Sequence, residues 1–294
     1  MKPAPLEYLR ATSPAEAVEL LERYDGTARL LAGGQSLVPL LSMRLVRPAA
    51  VIDVNPIAGF DGVSPTGDGG AMTIGALARY STLERSPLVH ARTPLVARAI
   101  PFVGDRQIRN RGTIGGALCH ADPSGEMALC AVTLGATLRL LGAAAGRVMS
   151  AEEFFQGPYT TAIQPNEMLL DVSVPDGTGT IATLVEHTRR HGDFAVVSVA
   201  AVGAPGDDGA WRWVRIGLGG VADRPVYACR ASEMLGGRRL DAGPIRAAGD
   251  AALDVADPAS DVRASAEYRR HLIPIYVERA LLDLDERRRE TPAR

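Results

Sequence analysis

The stretch Ala28-Arg29-Leu30-Leu31-Ala32-Gly33-Gly34-Gln35-Ser36 is a short apolar run that breaks on a glycine pair. Such a run reads as a strand leaving its sheet through a tight turn. Two consecutive glycines let the backbone turn with positive φ and approach a ligand with no Cβ in the way. Successive amides in such a turn can form an anion-binding nest, and Ser36 adds a hydroxyl donor. A diphosphate can be held there by backbone dipoles alone, without lysine. No Gly-Lys-Ser/Thr follows, so the turn is not a P-loop, and the Gly-x-Gly-x-x-Gly spacing of a dinucleotide crossover is missing.

A second glycine pair stands in Arg111-Gly112-Thr113-Ile114-Gly115-Gly116-Ala117, ahead of Leu118-Cys119-His120-Ala121-Asp122-Pro123-Ser124-Gly125-Glu126. Thr113 again brings a hydroxyl. Asp122 and Glu126 are carboxylates, which accept from sugar or ribityl hydroxyls better than they meet phosphate oxygens. One glycine turn carries little. Two, each with a hydroxyl and each followed by helix-type sequence, fit an extended diphosphate-bridged ligand gripped from both sides.

Working outward, residues 13–24 predict a helix with Ser13 as N-cap, Pro14 at N1 and Glu16 at the capping-box spacing. A short helix is expected over 39–45, a strand over 50–54, another over 71–75 and an amphipathic helix over 88–100. Residues 126–134 read as an apolar helix, and 137–141 and 168–174 as strands. Pro175-Asp176-Gly177-Thr178-Gly179-Thr180 is the best linker in the chain. Beyond it, 181–187, 195–202 and 211–217 are β-rich and separated by turn residues, so they predict an antiparallel sheet. Two helical patterns follow, over 246–256 and 267–289.

The chain has 294 residues, 46% hydrophobic and 22% charged, with a formal net charge of −2. That composition predicts a globular chain of two domains. It argues against nucleic acid or an anionic membrane as the main partner. No apolar run reaches the roughly 20 residues of a membrane span, and no signal-type segment opens the chain, so the expected location is the cytoplasm. Cys119, Cys130 and Cys229 are too scattered for a disulfide framework or a metal site and read as reduced thiols.

With these residues in view, a resemblance becomes specific. Ala32-Gly33-Gly34-Gln35-Ser36, with Pro39 and Arg44 behind it, resembles the first FAD loop of the flavin subunits of the xanthine dehydrogenase and carbon monoxide dehydrogenase family. Thr113-Ile114-Gly115-Gly116 with His120-Ala121-Asp122-Pro123 resembles its second loop. Arg189-Arg190-His191-Gly192-Asp193-Phe194-Ala195 is similar to its third recurrent stretch. Order and spacing agree, and the resemblance covers nearly the whole chain.

The resemblance implies an α+β fold. An FAD-binding domain over 1–176, made of two α/β subdomains (about 1–56 and 57–176), would precede a sheet-plus-helices domain over 181–288. It assigns Ala32, Gly33, Gly34, Gln35 and Ser36 to the diphosphate, and Thr113, Ile114, Gly115, Gly116 and Ala117 to diphosphate and ribityl. Gly104 is carried over as a backbone contact, and Asp122, Glu126 and Arg190 as further FAD contacts. Three positions depart from the usual pattern. Gln35 stands where histidine or threonine is common, Glu126 where aspartate is usual, and Arg190 where lysine is frequent. The segment 116–168 has no cysteine cluster, so a branch with an iron–sulfur insert there is excluded.

The implied function is an electron-transfer subunit. It would carry FAD, take electrons from [2Fe-2S] clusters in a small partner subunit, and act beside a large molybdopterin subunit in a dimer of heterotrimers. No residue is assigned as a catalytic acid or base; His120, His187 and His191 read as ordinary polar histidines, and no Ser-His-Asp or Cys-His arrangement is present. No metal site is expected in this chain. Asp193 is a candidate turn residue. Trp211 and Trp213 alternate on a strand and read as core on one face. The arginine-rich tail over 287–294 is expected to be solvated. The rival reading is a stand-alone flavin oxidase or dehydrogenase of the vanillyl-alcohol-oxidase type, with FAD but with its own substrate.

Overall fold

A computed structural model describes residues 2–190 and 192–290. His191 and residues 291–294, which include part of the third stretch and the end of the tail, lie outside them. Among the described residues, three larger sheets follow one another along the chain, with a two-stranded one beside the second.

The first sheet is built from β1 (Glu7–Arg10), α1 (Pro14–Arg23), β2 (Ala28–Leu31), α2 (Leu37–Ser42) and β3 (Ala50–Asp53), with strand order β1-β3-β2 and both pairings parallel. Ser13 caps α1 as expected, its Oγ accepting from the Glu16 amide at 3.1 Å. The Glu16 carboxylate does not close the box on Ser13. It takes the N–H and hydroxyl of Thr12 instead, at 2.7 and 2.8 Å. The expected helix over 39–45 begins earlier, at Leu37, and stops at Ser42. Pro39 thereby falls in the first turn, where its missing N–H costs no helical bond.

The second sheet takes β4 (Val63–Pro65) and β5 (Ala71–Gly75) at one edge. Six helices follow: α3 (Tyr80–Glu84), α4 (Pro87–Arg92), α5 (Pro94–Ala99), α6 (Arg106–Arg111), α7 (Ile114–His120) and α8 (Glu126–Leu134). Then come β6 (Thr137–Leu141), β7 (Gly146–Ser150), α9 (Ala151–Phe154), the small hairpin β8 (Phe155–Gly157) and β9 (Thr160–Thr161), and β10 (Met168–Pro175). The order is β4-β5-β10-β6-β7, antiparallel throughout. The single helix expected over 88–100 is two helices joined at Thr93 (φ −136°, ψ 60°). Pro94 forces the break, because its ring disfavours helical geometry at the residue before it.

The third sheet contains β11 (Ile181–His187), β12 (Val197–Pro205), β13 (Trp211–Gly219) and β14 (Val226–Tyr227), antiparallel and in chain order. One face carries α10 (Cys229–Glu233), α11 (Ala242–Ala251) and the long α12 (Ala266–Glu290). Trp211 is fully buried there, whereas Trp213 is 40% exposed, so the two do not share a face. The register slips where Pro205 pairs with Trp211 and Ala204 with Trp213. A bulge at that step inserts one residue and reverses the alternation. Within the expected tail, Arg288 and Arg289 pair with buried Asp285 at 2.9 and 2.7 Å rather than standing free.

What joins the second sheet to the third is α8. Eight of its nine residues are buried, and it packs in one continuous core with β5, β6, β10, β11 and β12. A helix apolar all round belongs between two layers. Its approach to β13 is closest at Gly217, where an added Cβ would overlap Thr133 Oγ1 and lie 3.0 Å from Leu129 Cδ1. Gly217→Ala is therefore expected to destabilise the chain by about 1–3 kcal/mol. Adding Thr133→Ala should recover part of that loss. Strict additivity in a double-mutant denaturation cycle would show that this contact does not set the packing.

Candidate functional site

The glycine turns meet at the carboxyl ends of β2 and β3, the place where open parallel sheets present crevices. Chain leaves β2 at Leu31 and turns through Ala32–Ser36 with Gly34 at φ +75°. Gly33 is buried against the other stretch: a Cβ there would lie 2.5 Å from the Arg111 carbonyl oxygen and 2.9 Å from Gly112 Cα. Only glycine permits this approach of two backbones. The structure thus brings the two sequence-predicted segments into contact.

Around that contact the N–H groups of Gly33, Gly34, Gln35 and Ser36 have no acceptor among the described residues. Four consecutive unpaired amides are uncommon unless water or a ligand takes them. The Gln35 side chain folds back, its Nε2 donating to the Gly33 carbonyl at 3.1 Å. Beneath the turn, Asn55 Nδ2 donates to the Leu31 and Ala32 carbonyls at 3.3 and 3.0 Å and to Asp53 Oδ1 at 2.5 Å. Arg79 bridges the two segments, donating to Asn55 Oδ1 and to the Arg111 carbonyl. Its pKa is lowered, first by burial and then by the Arg111 guanidinium. Two arginines thus stand near one another at the junction of the two segments.

The second glycine pair differs from its expected form. Gly115 and Gly116 lie not in a loop but in the first turn of α7, which Thr113 caps through Oγ1 accepting from the Gly116 amide at 3.1 Å. The N–H groups of Ile114, Gly115 and Ala117 go to Ala78, Ala76 and Thr113 carbonyls at 3.1, 2.9 and 3.1 Å. Four amides that looked available in sequence are thus already bonded. The Thr113 hydroxyl proton remains to donate. Gly115 is required for packing, since its Cβ would fall 2.5 Å from Ala76 Cβ.

Gly104 takes positive φ (+48°) at the start of the α6 turn, and Gly192 packs on it, with an added Cβ 3.1 Å from the Gly104 oxygen. The third stretch thus meets the second unit at Gly104. Arg190 points outward, its side chain 85% exposed and 3.7 Å from Asp193. Asp193 serves the turn, its N–H donating to the Arg190 carbonyl and its Oδ1 accepting from Phe194 N at 2.9 Å.

Behind the junction lies a carboxyl cluster. Asp122 is buried, accepting from Ser124 N at 2.9 Å and from the Tyr159 hydroxyl at 3.1 Å. Tyr159 and Ala121 are both left-handed (φ +53° and +52°) and joined by a 2.9 Å backbone bond. Paired non-glycine outliers of this kind cluster at ligand sites. Burial, with Asp122 adding, pushes the Glu126 carboxyl up to about 7. Glu186 is pushed up to about 8 by burial and by Glu126, and its Oε2 is buried without a partner among the described residues. The Tyr80 ring packs under Gly112, and its hydroxyl, without a partner among the described residues, feels Glu126. His120 is held toward its neutral form by burial, against the pull of Asp122.

Sequence reasoning missed Asp53, Asn55, Arg79, Tyr159 and Glu186. Asp53 and Asn55 carried one signal, their place just at and past the end of a parallel strand; Arg79, Tyr159 and Glu186 carried none. Among the described residues no three His, Cys, Asp or Glu side chains are grouped to hold a metal. All three cysteines are free, and no described helix is long and apolar enough to cross a membrane.

Comparison with known proteins gives matches over the whole length. Residues 4–177 match the family described as the FAD binding domain in molybdopterin dehydrogenase, and residues 182–284 the CO dehydrogenase flavoprotein C-terminal domain. The chain is 35% identical over 287 residues to the glyceraldehyde dehydrogenase medium chain of Sulfolobus acidocaldarius, covering 97% of this chain and 100% of the relative. It is 34% identical over 284 residues to the carbon monoxide dehydrogenase medium chain of Hydrogenophaga pseudoflava, covering 96% and 97%. Among solved structures it resembles reconstituted CO dehydrogenase from Oligotropha carboxidovorans, with a TM-score of 0.94, 34% identity and coverage of 98% and 100%.

The raised pKa of Glu186 fixes a sign for pH. Its folded value lies above the unfolded one, so the folded chain holds the extra proton and loses stability as pH rises from the unfolded value toward about 8. Glu186→Gln, neutral throughout, should melt higher than the parent at pH 8.5 and match it near pH 4. A melting difference that does not change with pH would contradict the burial of this acid.

Proposed function

The chain belongs to the family of FAD-binding medium subunits of molybdopterin dehydrogenases, and from that premise we propose that it holds FAD at the junction of its glycine turns and relays electrons. The electrons would come from [2Fe-2S] clusters in a small partner subunit and leave to an external acceptor. A large molybdopterin subunit would complete a heterotrimer, two of which would pair, in the cytoplasm. We place the FAD-binding domain over 1–176 and the second domain over 181–288.

The observation that carries this reading is the run of four unpaired amides at Gly33–Ser36 beside Arg79 and Arg111. Such a cradle suits a diphosphate: the amides bind its oxygens, and the two guanidinium groups offset its charge. Ala32 and Gln35 keep the turn in shape through carbonyl and side-chain bonds. Thr113 donates its hydroxyl proton, while Ile114, Gly115, Gly116 and Ala117 offer close, smooth surface rather than amides. Asp122 and Glu126 suit hydroxyl donors of a ribityl chain, and protonated Glu126 can itself donate. Gly104 gives close backbone approach, and Arg190 stands at the exposed rim.

FAD when bound supplies both one- and two-electron exchange, which suits it to join single-electron clusters to a paired acceptor. The chain's own residues need only bind, orient and shield it.

The test is spectroscopic. The purified chain, given FAD, should retain it and show the flavin absorption bands. Gly33→Val should lose it, by driving the two segments apart, while α12 and the third sheet keep their hydrogen-exchange protection. Arg79→Gln should weaken retention about tenfold or more, the worth of one lost charged hydrogen bond. A parent chain that takes up no FAD refutes the reading, and FAD at parental stoichiometry in Gly33→Val refutes the assignment of the turn.

A further inference from the structure

A cavity of about 450 Å³ opens between the segment 175–180, Pro94 and Leu134 on one side and β13, β14 and α10 on the other. Its volume lies within the range of small-molecule sites, about 300–1,000 Å³. It shares no residue with the FAD cradle.

Three features mark it as built. The bulge that buries Trp211 turns Trp213 out of the core and into the cavity wall; bulges that re-aim a side chain are characteristic of functional sites. Tyr227 forms another part of the wall, with the Arg215 guanidinium 4.0 Å over its ring. The linker wall is fixed. Asp176 is bonded to Arg92 and to Thr178, and Gly177 packs so closely that a Cβ would lie 2.7 Å from Pro94 Cδ.

The charges in the cavity are mostly spoken for, and the exceptions are informative. Arg215 anchors its Nε on the Thr133 carbonyl at 2.6 Å and forms no ion pair among the described residues. Glu233 accepts only the Cys229 thiol, at 3.2 Å, among the described residues. Asp176 is committed to Arg92. One cation and one anion that form no ion pair among the described residues, set in aromatic walls, complement a neutral ligand with an acceptor edge and a donor edge. A net charge on the ligand would leave one of them opposed.

We propose that this cavity binds a small, neutral, planar heteroaromatic molecule of fused-bicyclic size. Its ring lies against Trp213, its carbonyl or ring nitrogen accepts from Arg215, and its N–H donates to Glu233. The walls come from both sides of the 176–180 segment, so such a ligand also fixes the second sheet against the third.

Equilibrium dialysis of the full chain with isoquinolin-1-one, a neutral bicyclic lactam, tests this. Saturable retention of one equivalent is expected at millimolar concentration or below. Trp213→Ala and Glu233→Leu should each weaken it about tenfold, the worth of one aromatic contact or one hydrogen bond. Both side chains lie at the surface of the cavity, so melting temperatures should stay near the parent's. No retention overturns the proposal. Retention unchanged in Trp213→Ala overturns the location, and equal retention of naphthalene overturns the polar recognition. None of these outcomes depends on whether the chain binds FAD.

Discussion

Everything at the cradle depends on one close approach, the backbone of Gly33 against that of Arg111 and Gly112. It joins a turn from the parallel sheet to a segment leading out of α6, two pieces that no strand pairing connects. Direct hydrogen bonds are few there. Arg79 supplies the clamp, reaching Asn55 under one segment and the Arg111 carbonyl in the other. The side chain that fixes the geometry is also a source of positive potential. An anion bound at the unpaired amides relieves the repulsion between Arg79 and Arg111, so ligand binding and local stability are coupled by electrostatics.

The buried helix α8 does the corresponding work behind the site. Because it is apolar all round, two sheets must close over it, and its first turn is carried into their junction. Glu126 is therefore placed where water is scarce, and Glu186 on β11 is brought near enough for Glu126 to raise its cost of ionising. Such acids are expensive to keep and persist only where surrounding packing over-determines them. Packing of the helix and the chemistry of its carboxyl end are one constraint.

Much of this was legible in sequence, and the failures have identifiable causes. Local signals located α1, α8, β2, β3, β5, β6, β10 and three of the third sheet's strands, β11, β12 and β13, but not the short β14. They also found both glycine segments and joined them to a family by their order. Pro94 was legible as a breaker and was outvoted by amphipathic spacing. The Trp211–Trp213 pair misled because a bulge cannot be seen in a period-two pattern. The second glycine pair misled in a subtler way: Thr113 is a capping residue as readily as a ligand donor, and only the tertiary partners Ala76 and Ala78 decide which. Arg79 and Glu186 were invisible because their importance comes from contacts with residues far away in the chain.

That division between local and distant information bears on what the cofactor does for the fold. Gly33 lies in the turn that leaves β2, Thr113 caps α7 in the second unit, and Gly104 meets Gly192 of the third stretch. A ligand touching all of them binds only the closed arrangement. By mass action it adds stability that grows with its concentration, about 4 kcal/mol at a thousand times its dissociation constant. The glycine backbones and the arginine clamp meet above a core in which Met168 and Leu170 of β10 pack with α1 and β3. With the proposed diphosphate bound there, the amides of Gly33–Ser36 would both hold it and help lock the units together.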